Sequence, residues 1–84
     1  MSQLSELPNV GKVLEASLRS VGIETPEQLR SAGAEAAFLR IRDQVDPGAC
    51  LAMLSGIQGA IAGVPKKFLP SAVKQKLKEF YKSL

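Results

Sequence analysis

Between Cys50 and Val64 the chain reads CLAMLSGIQGAIAGV, an apolar and small-residue run with one long polar side chain, Gln58. Cys50, Leu54, Ile57, Ile61 and Val64 recur at steps of four and three, which predicts a helix. A helix that is apolar nearly all round must be enclosed by other helices or by lipid. This one ends before Pro65, short of the roughly 20 residues that a bilayer requires. The fold is therefore expected to be organised around a buried central helix, opened by the turn Asp46-Pro47-Gly48, with Cys50 on its buried stripe as a small hydrophobe. Gly56, Gly59 and Gly63 each cost up to about 1 kcal/mol relative to alanine in a helix, so another backbone is expected to approach that face.

The remaining segments share the same period. Val10, Val13, Leu14, Leu18 and Val21 form one stripe, with Lys12, Glu15 and Arg19 opposite, and that helix is expected to stop at Gly22. Thr25-Pro26-Glu27-Gln28 supplies a capping hydroxyl, a proline at the first helical position and a glutamine three residues after the cap. It predicts a short helix from Pro26 to about Ala32, with Leu29 inward. After Gly33, a helix over Ala34 to Gln44 should bury Ala37, Phe38 and Ile41 and expose Glu35, Arg40, Arg42 and Asp43. Pro70 opens a last helix whose inner stripe is Val73, Leu77, Phe80, Tyr81 and Leu84, with Lys74, Lys78 and Lys82 outside. No segment alternates apolar and polar residues, and no Asn-Gly or Asp-Gly hairpin turn occurs. The fold class is all-α, a compact bundle of about five short helices, and residues 1–84 make a single domain.

Composition narrows the chemistry. The chain has no histidine and one cysteine, which excludes zinc fingers, disulfide frameworks and Ser-His or Cys-His nucleophile pairs. No catalytic residue, metal ligand or cofactor is expected, and a domain this small has little room for a small-molecule substrate. The opening MSQLSELPNVGK lacks a basic stretch followed by an apolar one, so the expected location is cytoplasmic, without a membrane partner. Eleven Lys and Arg against eight Asp and Glu give a net charge of +3. The excess is concentrated late, because residues 64–84 hold six lysines and Glu79 as their one acid.

Leu7-Pro8-Asn9-Val10-Gly11-Lys12 is the segment with the most functional content. A tight turn feeding a helix N-terminus presents backbone N–H groups that can hold a phosphate; the alternative is an ordinary helix start. Gly11 allows close approach, Asn9 is the non-glycine residue that best tolerates a left-handed conformation, and Lys12 adds charge. Asn9, Val10, Gly11 and Lys12, together with Lys66 and Lys67 on the loop before the last helix, are the candidate nucleic-acid-binding residues. The lysines fit DNA, an acidic protein partner, or a merely solvated face.

The stretch LPNVGKVLEASLRSVGIETPEQL resembles a helix-hairpin-helix element, in which hairpin backbone and a nearby basic residue grip DNA phosphates without reading bases. Asn9 stands where that pattern has its first glycine. From Leu7 to Leu84 the chain resembles the C-terminal domain of the TfoX family, through LPNVGKVLEASLRSVGI, GAEAAFLRI, CLAMLSGIQGAIAGV and LPSAVKQKLKEFYKSL in that order. Pro65-Lys66-Lys67-Phe68 replaces a family segment that carries Trp and His. The resemblance implies a helix-hairpin-helix or sterile-alpha-like fold, no catalysis, and a role in transcription regulation for competence, meaning DNA uptake by bacteria. It also implies that full-length relatives carry an N-terminal domain absent from these residues and work with a cyclic-AMP receptor protein. Two partners are compatible with it: DNA, bound weakly and without sequence preference, or a transcription-machinery protein on which the domain docks as an adaptor.

Overall fold

The computed structural model describes residues 3–84; Met1 and Ser2, the start of the expected domain, lie outside the described residues. Its five α-helices are α1 (Lys12–Ser20), α2 (Pro26–Ala32), α3 (Ala34–Gln44), α4 (Leu51–Ala62) and α5 (Ser71–Lys82). No strand occurs among the described residues, so the all-α expectation holds. Two short 3-10 turns, Leu4–Glu6 and Lys66–Phe68, were not foreseen from the spacing.

The apolar run is the centre of the bundle, as its composition demands: α4 touches α2, α3, α5 and the Lys66–Phe68 turn. Leu54, Ile57 and Ala60 are fully buried against Leu18, Leu29, Ala37, Phe38 and Ile41. Leu4, on the first turn, is equally buried and closes the core beside α1. Phe38 of α3 meets Tyr81 of α5 edge to face at 6.1 Å, which ties the last helix to the interior. Among the described residues no helix is long and apolar enough to cross a membrane.

Local chemistry sets the helix ends. Thr25 Oγ1 accepts from the Gln28 N–H at 3.1 Å, while Gln28 Oε1 accepts from the Glu24 N–H at 2.6 Å. This reciprocal pair resembles a capping box displaced by one residue. The other end that matters is that of α4. Gly63 adopts the left-handed conformation, and Gly63 N–H and Val64 N–H return to the carbonyls of Ala60 and Gly59. That is a Schellman closure, and it turns the chain sharply toward the N-terminal hairpin.

Four expectations are corrected. Asp46-Pro47-Gly48 does not open α4: Asp46 Oδ1 accepts from Gly48 N–H at 2.9 Å, folding these residues into their own turn, and the helix begins at Leu51. Cys50 consequently sits at the N-cap, exposed, not on the buried stripe. Val13 is 79% exposed, because α1 begins at Lys12 and its buried side is the narrower set Leu14, Ser17 and Leu18. At the far end Leu84 lies beyond α5 and is exposed, leaving Leu77 as the buried residue of that helix.

Candidate nucleic-acid interface

The hairpin is shaped by Asn9. Its φ of 68° makes it the one non-glycine residue with positive φ among those described, and it reverses the chain between Leu7 and Gly11. Its side chain then reaches across the molecule. Nδ2 donates to the Val64 carbonyl at 3.1 Å and, more weakly, to the Gly56 carbonyl at 3.4 Å, while Oδ1 accepts from the Lys66 N–H at 3.0 Å. Both ends of the amide are thus engaged, which fixes its orientation.

The approach is close enough that α4 must lack a side chain there. A Cβ on Gly59 would lie 2.5 Å from Asn9 Nδ2 and 2.7 Å from the Val64 carbonyl oxygen. The glycine face of α4 is therefore where the hairpin and the Lys66–Phe68 turn are seated. The approaching backbone expected from the glycine spacing is found at Gly59 alone, where Val64 and Lys66 come close; Gly56 meets the Asn9 side chain, and nothing lies within 4 Å of a Cβ at Gly63.

Seating the hairpin here creates an open groove of about 450 Å³, lined by Asn9, Gly11, Lys12, Leu14, Met53 and Lys66 among others. Gly11 is the N-cap of α1 and offers no side chain, so no side chain satisfies the first-turn N–H groups facing that groove. The positive end of the α1 dipole and two exposed ammonium groups share one site. Among the described residues the one ion pair is Glu15 with Arg19, within α1, so none of these lysines is neutralised by a carboxylate.

Of the candidate residues, Asn9, Gly11, Lys12 and Lys66 are brought together around the groove. Val10 is not at the surface: it is buried in the core and anchors the hairpin from behind. Lys67 stands off the groove, its Nζ 5.2 Å from the centroid of the Phe68 ring. Sequence reasoning missed the floor of the groove, where Val13 and Ala52 are exposed and Met53 half-buried. The signal was present in part, since Val13 directly follows Lys12.

Comparison with known proteins bears on this arrangement. The model of the TfoX C-terminal domain matches residues 1–81. Protein Sxy of Escherichia coli strain K12 is 39% identical over 82 residues, a match covering 98% of this chain and 39% of that protein. The chain thus spans about two fifths of the length of this curated relative. Two crystal structures from Listeria monocytogenes share the fold. An uncharacterized protein in a triclinic form superposes with a TM-score of 0.95 at 44% identity, over 98% of this chain and 92% of that one. A protein of unknown function in a tetragonal form gives 0.92 at 45% identity, over 95% and 96%.

Proposed function

Because the chain belongs to the TfoX C-terminal domain family, we propose that it is a non-enzymatic regulatory module for competence, holding nucleic-acid phosphates weakly and without base reading. The observation that carries the reading is the convergence of Lys12, Lys66 and the uncapped start of α1 on one groove, held by Asn9. Backbone N–H groups and lysines position a phosphate without specifying sequence. Binding of this kind weakens steeply with salt.

The test is an NMR titration of the labelled domain with a short DNA duplex at low and high salt. Amide shifts centred on Asn9 to Lys12 and Lys66 to Phe68, fading as salt rises, are expected. Lys12→Glu and Lys66→Glu should lower affinity with the helical circular dichroism unchanged. Binding indifferent to both substitutions would sink the proposed surface.

A second reading is supported by the groove floor. Exposed Val13 beside half-buried Met53 suits an apolar side chain of a transcription-machinery protein, and would make the domain an adaptor. Val13→Ser separates the two. It should leave duplex affinity within about twofold if phosphates are the ligand, and should abolish capture of RNA polymerase or a transcription factor if the groove docks protein.

A further inference from the structure

Three of the four aromatic residues belong to the interior or its margin: Phe38 is fully buried, and Phe80 and Tyr81 pack against the core. Phe68 does not. It is 67% exposed at the end of the Lys66–Phe68 turn, although burying a phenylalanine ring stabilises a fold.

The ring is displayed on a fixed support. Phe68 N–H donates to the Pro65 carbonyl at 2.9 Å and Leu69 N–H to the Lys66 carbonyl at 3.2 Å. Leu69, the next residue, is buried in the core. Lys66 N–H is held by Asn9, and Lys74 Nζ donates to the Lys67 carbonyl at 3.1 Å. The turn is therefore braced from the hairpin on one side and from α5 on the other.

Charge around the ring discriminates among occupants. Phe68 follows Lys66 and Lys67 directly in the chain, Lys67 lies over its ring, and Lys74 is bonded to the same turn. The centre of a protein interface is depleted in lysine, whereas proteins that hold unpaired nucleic acid combine a cationic track with aromatic faces on which bases stack. In a duplex the bases are already stacked on one another and present no free face to a side chain.

We propose that Phe68 is a base-stacking residue, and that this face prefers single-stranded nucleic acid to duplex. The inference rests on the phosphate-holding reading above and names the form of nucleic acid that it takes. Lys12 and Lys66 hold the backbone of the strand, and Phe68 receives an unpaired base alongside.

The experiment is fluorescence anisotropy of the intact domain with labelled thymidine and uridine oligomers of about 12 nucleotides and a duplex of equal length. Single strands should bind more tightly. Phe68→Ala should weaken single-strand binding by about tenfold and leave the duplex unchanged. Phe68→Trp should keep the affinity, and its emission should be quenched by single strands, a readout that a purely structural role would not give. The thymidine and uridine arms distinguish DNA from RNA as the source of the strand.

Lysine-dependent binding of both forms without any effect of Phe68→Ala would overturn the stacking inference and leave phosphate holding intact. No binding of either form at low salt would overturn both. Phe68→Ala abolishing capture of a transcription protein, with oligomer binding unaffected, would make Phe68 a protein contact and overturn it as well.

Discussion

Asn9 combines two properties that are separable by substitution: a left-handed backbone and a three-way hydrogen-bonding side chain. Asn9→Gly keeps the first and loses the second, and is expected to destabilise the domain by about 1–2 kcal/mol in urea unfolding. Asn9→Ala loses both and should cost about 1 kcal/mol more. Gly59→Ala, despite alanine's better helix propensity, should destabilise by about 1–3 kcal/mol because the Val64 carbonyl is backbone and cannot step aside. In an Asn9→Gly background that penalty should shrink, since one of the two close contacts has been removed. Cys50 gives an independent check of the corrected α4 boundary. Its thiol should react fully with a thiol reagent under native conditions, and Cys50→Ser should change stability by less than about 0.5 kcal/mol. At this scale the sequence showed that Asn9 tolerates positive φ and that the α4 glycines admit a neighbour. It could not show that the two observations are one contact, because the partners of Asn9 lie 47, 55 and 57 residues away.

Helices were legible where side-chain spacing and capping agreed, and less so where a turn imitated a cap. α3 runs from Ala34 to Gln44 as its apolar stripe dictates, and α2 from Pro26 to Ala32 as its cap dictates. Asp46-Pro47-Gly48 carries the same residue types as a helix start, but Asp46 spends its carboxylate on Gly48 N–H. Nothing in the local pattern separates those outcomes. α2 has seven residues, well below the about 12 at which an isolated helix becomes marginal in water, so it depends on its ends and its packing. Thr25→Ala should therefore cost about 1 kcal/mol, read as a lower urea midpoint with an unchanged slope.

Across the whole molecule, cations and carboxylates are unevenly shared, with the lysine-rich end of the chain folded back onto the hairpin at the start of α1. Sequence revealed both basic elements, while their apposition is a property of the tertiary fold, delivered by the Schellman turn at Gly63. If Lys12 and Lys66 each meet a phosphate, the logarithm of duplex affinity should fall linearly with the logarithm of salt concentration, and Lys12→Gln or Lys66→Gln should each flatten the slope by about 1. A slope unaltered by either change would place the contact elsewhere.

The bonds between Asn9 and the Gly56–Lys66 region also impose an order on synthesis. During synthesis the hairpin leaves the ribosome ahead of its partners, which lie 47 to 57 residues further along the chain. The groove is consequently absent from every nascent or truncated chain that ends before Lys66. Native-state hydrogen exchange at the Lys66 amide should therefore be slowed by its bond to Asn9 and should accelerate in Asn9→Gly.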